Sequence, residues 1–235
     1  QGLLFVRRAH NAGRYYFINN RAPDRPCQAW VPLATPAQAV VVMDAMTGKT
    51  GLAARRSAAS NMTEVYLHLE PGQSVILKTF AEHRPALEAW PYFEPAGDPI
   101  PLTGTWDVEF IEGGPELPPS FETDALASWT DLGGEEAQRF AGTARYATTF
   151  DLPAGHQGPW RIDLGQIAES ARVRLNGTDL GVVFTEPFQA TLPAESLNAE
   201  GNRLEVEVTN LSANRIRDLD IRGVQWRKFY DINFV

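Results

Sequence analysis

The sequence predicts an all-β protein, an antiparallel β-sandwich followed by a jelly roll. Three observations carry that reading. Short runs rich in β-branched and aromatic residues recur along the chain, separated by Gly, Pro and Asn turn clusters. Two of them, Ala171-Arg172-Val173-Arg174-Leu175 and Leu204-Glu205-Val206-Glu207-Val208, alternate apolar with charged residues, the period of a strand with one wet face. Helix-period patterning is nearly absent, and only Glu135–Phe140 reads as a turn or two of helix.

In the first 82 residues, strands are expected at 3–8, 14–18, 28–33, 39–43, 64–69 and 74–78. Asp44 to Gly48 and the polar stretch to Asn61 read as a hairpin with an irregular return. Six or seven strands in so short a span suit a small sandwich. Residues 83–100 carry Pro85, Pro91, Pro95 and Pro99, with Pro101 just beyond, a density that neither a ladder nor a helix interior accepts. They are expected to form an extended linker that packs on one domain through Trp90, Tyr92 and Phe93. The jelly roll is placed at 101–235, with strands at 105–111, 143–152, 160–164, 171–175, 180–184, 188–192, 203–210 and 223–230. A long polar loop is expected up to Arg139. Asn176-Gly177 supplies two adjacent residues that accept positive φ, as a type I′ hairpin turn requires.

Composition narrows the function. The 235 residues are 43% hydrophobic and 21% charged, an ordinary globular balance. Twenty-one Lys and Arg against 29 Asp and Glu give a net charge of −8, which argues against nucleic acid and anionic membrane as partners. The longest apolar run, around Ala37 to Met43, is too short to span a bilayer. The single cysteine, Cys27, can form no intrachain disulfide and reads as an inert thiol. The four histidines, at 10, 68, 83 and 156, lack metal-site spacing, and no nucleophile elbow, phosphate loop or dinucleotide fingerprint occurs. No metal site and no cofactor are therefore expected; Asp218 and Asp220 read as a local turn, with a structural calcium ion or a hydrogen bond to a sugar as the alternatives. The chain opens at Gln1 and runs at once into a strand, so it reads as a piece of a longer polypeptide or a processed product.

The second half contains a recognisable series: Phe140-Ala141-Gly142-Thr143-Ala144-Arg145-Tyr146, then Ile162-Asp163-Leu164-Gly165, then Ala171-Arg172-Val173-Arg174-Leu175-Asn176-Gly177. Pro187-Phe188, Glu200-Gly201-Asn202-Arg203-Leu204-Glu205-Val206 and Asn214-Arg215-Ile216-Arg217-Asp218 follow. This order resembles the galactose-binding-like jelly roll of glycoside hydrolase family 2. It is similar, more closely, to the C-terminal domain of the family 106 α-L-rhamnosidases. Phe5-Val6-Arg7-Arg8, Tyr15-Tyr16-Phe17-Ile18-Asn19-Asn20 and Met43-Asp44-Ala45-Met46-Thr47-Gly48 resemble the β-sandwich downstream of that family's catalytic barrel.

The resemblance implies a non-catalytic C-terminal region of a secreted or periplasmic glycosidase, with the catalytic domain outside this chain. Its implied partners are that catalytic domain and an oligo- or polysaccharide. The alternative is an autonomous carbohydrate-binding module.

No catalytic residue is assigned. The carboxylate pairs Glu205/Glu207, Asp107/Glu109, Glu135/Glu136 and Asp218/Asp220 have no demonstrable hydrolytic separation. For sugar contact the candidates are Trp129 in a polar loop, Trp226 near the end, and Asn214 with Arg215. The rings would stack on pyranose faces, while amide and guanidinium would take up hydroxyls. The competing readings are packing or a domain interface for the tryptophans, and loop-tying backbone bonds for Asn214 and Arg215.

Overall fold

The structure is a computed structural model that describes residues 2–11, 13–58, 62–155 and 158–225. The chain divides into two compact units, Gln1–Pro99 and Ile100–Val235. All strand pairs in both are antiparallel, so the fold is all-β throughout. Among the described residues no helix is long and apolar enough to cross a membrane.

Among the described residues the first unit has eight strands: β1 (Leu3–His10), β2 (Gly13–Asn20), β3 (Cys27–Leu33), β4 (Ala39–Met43), β5 (Thr50–Leu52), β6 (Arg55–Ala58), β7 (Met62–Leu69) and β8 (Ser74–Phe80). They form a five-stranded sheet, β1-β2-β8-β4-β5, and a three-stranded sheet, β3-β7-β6. Alternation drives the packing. On β7, Val65, Leu67 and Leu69 point into the core, while Glu64, Tyr66 and His68 between them stay half-buried on the outer face. They meet Tyr16, Ile18, Val40, Val42, Val75 and Leu77 of the larger sheet. The unbroken apolar run of β4 has the other expected consequence, burial on both faces: Ala39 and Val41 join Leu52 in a separate cluster.

Asn20, fully buried, holds the turns together. Its amide donates to the Arg25 and Leu69 carbonyls, and its Oδ1 accepts from the Ala22 N–H. The irregular return expected after Gly48 is a pair of real strands, β5 and β6. Their shortness and the polar Arg55-Arg56-Ser57 hide them from a pattern search.

The proline-rich segment belongs to this first unit. Leu52 donates its N–H to Glu88 O and accepts from the Trp90 N–H, so residues 88–90 cap the β5 edge. Gly51 permits the approach, since an added Cβ would lie 2.8 Å from Trp90 Cα. The Tyr92 hydroxyl donates to Tyr66 O and accepts from the Ala54 N–H, and its burial pushes the phenol pKa up.

The second unit comprises β9 (Trp106–Gly114), β10 (Phe121–Thr123), α1 (Trp129–Leu132), α2 (Glu135–Arg139), β11 (Ala141–Phe150), β12 (Trp160–Asp163), β13 (Ser170–Leu175), β14 (Thr178–Val183), β15 (Gln189–Leu192), β16 (Asn202–Thr209) and α3 (Ala213–Ile221). A six-stranded sheet, β10-β9-β11-β16-β13-β14, packs against the pair β12-β15, giving the jelly-roll sandwich. Inward residues of the large sheet, among them Val108, Phe110, Tyr146, Val173, Leu175, Leu204 and Val206, meet Ile162 and Leu192 of the small one. The β13–β14 turn has Asn176 at φ 51° and Gly177 at φ 80°, the two positive values its sequence requires.

Two expectations are corrected here. The stretch before Arg139 is not one long loop, because it contains β10 and α1 as well as the anticipated α2. The segment after β16 is a nine-residue helix where a loop was expected. Of the strand expected at 223–230, residues 223–225 belong to no strand and the rest lie outside the described residues.

Candidate functional site

Three of the four residues singled out for sugar contact, Trp129, Asn214 and Arg215, fall into one neighbourhood, between α1, α2, the start of β11 and α3. Trp129 opens α1, where the Ser128 side chain accepts from the Thr130 N–H at 3.3 Å. Its ring is 5% exposed, with centroids 5.8 Å from Phe110 and 5.9 Å from Phe140, edge-on to both. Phe110 and Phe140 meet each other edge-on at 5.0 Å. Trp129 is thus a member of the core rather than a surface platform. The polar sequence around it, Ser128-Trp129-Thr130-Asp131, gives no sign of the distant phenylalanines that bury it.

The backbone beside that aromatic cluster is clamped by amides. Asn210 Nδ2 donates to Phe140 O at 3.1 Å, and its Oδ1 accepts from the Gly142 N–H at 2.8 Å. Asn214 Nδ2 reaches the same Phe140 carbonyl at 3.4 Å. Arg215 donates to Asp218 Oδ2 at 3.3 Å, and Arg222 also binds that carboxylate. Arg222, with Arg139 and Arg215 nearby, holds the Asp218 carboxyl below the usual aspartate pKa. Arg139 in turn binds Glu116. Asn214 therefore fastens α3 to the sheet end through a backbone carbonyl, while Arg215 pairs within the helix with Asp218. Trp226 lies outside the described residues.

The carboxylate pairs are spread over the fold. Glu207 takes Arg145 at 3.3 Å and Arg174 at 2.5 Å, Glu109 takes Arg145 at 3.3 Å, and Glu205 takes Arg203 at 3.2 Å. These side chains make up a charged outer face on the six-stranded sheet. Asp218 is surrounded by guanidinium groups, a poor setting for a cation. Among the described residues no group of three or more His, Cys, Asp or Glu could hold a metal ion. Burial pushes the Cys27 thiol up, away from thiolate chemistry.

A different surface stands out in the first unit, one that sequence reasoning missed. β1 pairs only with β2, so its outer edge is open among the described residues. Leu4, Phe5 and Val6 are 62%, 65% and 60% exposed, and Phe17, across from Val6 on β2, is 46% exposed. Arg7, Arg8 and Arg14 continue the same hairpin. This unit carries ten Lys and Arg against eight Asp and Glu, while residues 100–235 carry eleven against twenty-one. The signal was available: Leu3 to Val6 is unbroken apolar sequence, which on a strand asks for cover on both faces.

Comparison with known proteins gives the following. No family model matches the sequence. A putative β-glucuronidase of Formosa agariphila is 37% identical over 121 residues, which is 50% of this chain and 10% of that protein. The structure of a rhamnosidase from Novosphingobium sp. PP1Y matches 95% of this chain with a TM-score of 0.74 at 22% identity, using 21% of its own length. A Bifidobacterium dentium β-glucuronidase structure matches 46% of this chain and 20% of its own at 27% identity, with a TM-score of 0.38. The chain resembles a glycoside hydrolase-associated domain, and it spans about a tenth of the curated relative and a fifth of the rhamnosidase.

Proposed function

We propose that this chain is a non-catalytic supporting region of an exported multidomain glycoside hydrolase, of the α-L-rhamnosidase kind, and that it docks on the catalytic domain through the β1–β2 edge. The observation that carries this is the open apolar strand. Three consecutive large apolar side chains at 60–65% exposure are costly on a free surface and ordinary in an interface core. The similarity to a portion of a putative glucuronidase and the shared fold with part of a rhamnosidase support the partner's class. Arg7, Arg8 and Arg14 would give the interface a basic rim, favouring an acidic counterpart.

Leu4, Phe5, Val6 and Phe17 are one-third to one-half covered already. Complete burial of such a side chain is worth about 1.5–3 kcal/mol, so docking would gain about 1–2 kcal/mol from each. The test starts with the source organism. An antibody against this chain should detect a polypeptide several times larger than 26.0 kDa that cleaves a rhamnoside or glucuronide. The paired change Leu4→Thr and Val6→Thr in that polypeptide should lower its melting temperature, while leaving the isolated chain's stability within about 0.5 kcal/mol of the parent. A free 26.0 kDa product, or sugar release by this chain alone, overturns the reading.

A further inference from the structure

The outer face of the three-stranded sheet carries a set of side chains that the docking role does not use. The register places Gln28 opposite His68, Trp30 opposite Tyr66, and both Pro32 and Arg56 opposite Glu64. Since Val65, Leu67 and Leu69 point inward, Glu64, Tyr66 and His68 point out, and their partners with them. The rings form a row: Trp30 to Tyr66 is 5.7 Å between centroids, and Tyr66 to Tyr92 is 5.1 Å. Polar groups border it on both sides. Arg56 Nε is 2.5 Å from Glu64 Oε2, Gln28 Nε2 is 3.0 Å from His68 Nε2, and His68 Nε2 is 3.3 Å from Glu70.

The outward face of a sandwich sheet is ordinarily polar, because it meets water. A file of half-buried rings there needs an occupant or a cover. Tyr92 accounts for one end, where it straps the proline-rich segment down. At the other end the Arg56 guanidinium sits 4.5 Å above the Trp30 ring with its side chain 55% exposed. An indole face that hosts so exposed a group opens to solvent. The Arg56–Glu64 ion pair and the Arg56–Trp30 contact both lie at an exposed surface, where such interactions are weak, so a ligand can displace the guanidinium.

We infer that this face is a carbohydrate platform for a neutral oligosaccharide chain. Pyranose C–H faces stack on Trp30 and Tyr66, and the hydroxyls are met by Gln28, His68, Glu64 and Arg56. Each polar type is matched to a sugar hydroxyl. The amide and imidazole donate and accept, the carboxylate accepts two ways, and the guanidinium offers a planar fork. Arg56 and Glu64 neutralise each other, leaving no cationic pocket to select a uronate. The inference rests on the glycosidase reading only for the choice of sugars.

The test is a titration of the isotopically labelled 235-residue chain with three neutral hexasaccharides, derived from a rhamnan, a xylan and amylose. At least one should move the Trp30 indole N–H resonance saturably at millimolar sugar. Trp30→Ala and Tyr66→Ala should weaken that binding tenfold or more, with Trp30→Phe retaining part of it. The Leu4→Thr, Val6→Thr pair should leave it unchanged, which separates this surface from the docking edge. No movement of the Trp30 resonance with any of the three, or binding that maps to other residues, overturns the platform. That result would leave the docking proposal standing, since it is read on another strand.

Discussion

Replacing Asn210 and Asn214 separately decides whether the amides after β16 serve the fold or a ligand. Asn210→Ala removes two hydrogen bonds, from the Gly142 N–H at 2.8 Å and to Phe140 O at 3.1 Å. Each is worth about 0.5–1.5 kcal/mol net, and a half-buried donor deprived of its acceptor adds to the cost. The sum is roughly 2–3 kcal/mol. Asn214→Ala loses a single bond at 3.4 Å to a carbonyl that Asn210 already serves, worth about 0.5 kcal/mol or less. Equilibrium urea unfolding, read through amide peak intensities of β9, β11 and β16, measures both. The expected result is a clear fall in midpoint for Asn210→Ala at unchanged slope, with Asn214→Ala close to the parent. If Asn210→Ala stays within about 0.5 kcal/mol of the parent, or the two variants cost the same, the clamp described for Phe140 is wrong.

Three further outcomes follow from close packing, open space and a buried phenol. Gly142→Ala would put a Cβ 2.1 Å from Glu112 O and 2.6 Å from both Gly113 Cα and Phe140 Cζ, so it should cost more than about 3 kcal/mol in the same urea experiment. Gly97→Ala, whose added methyl meets nothing within 4 Å, should change stability by less than about 0.5 kcal/mol. Burial pushes the Tyr146 phenol up to about 12. Because the folded value is raised, its contribution is complete below the ordinary value of 10 and is lost as pH climbs towards 12. A phenolate absorbance titration should show a late phase near 12 that disappears in Tyr146→Phe, and its presence in that variant would contradict the assignment.

What the sequence made legible depended on whether the cause was local. Strand alternation at 64–69, 171–175 and 204–208 is local, and so is the positive φ required by Asn176-Gly177. Both reappear in the structure. Trp129 fails that condition, because its burial is decided by Phe110 and Phe140. The three rings come together only when β9, α1 and the start of β11 assemble. Helix α3 escaped notice for a related reason. Ala213-Asn214-Arg215-Ile216-Arg217-Asp218 lacks a clean apolar stripe, and the helix is held by Arg215–Asp218–Arg222 pairs and its contact with α2. The unbroken apolar run Leu3 to Val6 did signal a strand needing cover, but nothing local tells that the cover is missing within this chain. The sugar-contact reading of Asn214 and Arg215 came from their chemistry, and their partners Phe140 and Asp218 give that chemistry a structural use.

The open β1 edge also governs how this polypeptide behaves once nothing covers it. A row of unpaired backbone donors and acceptors beside Leu3-Leu4-Phe5-Val6 is a template on which a second strand can register, the first step of edge-to-edge aggregation. Arg7 and Arg8 follow at once and act as gatekeepers, because stacking like edges brings guanidinium charges together. That brake is electrostatic and weakens as the Debye length shrinks to about 8 Å at physiological ionic strength. Edge-to-edge association of the bare chain is therefore expected to rise with the salt around those two arginines.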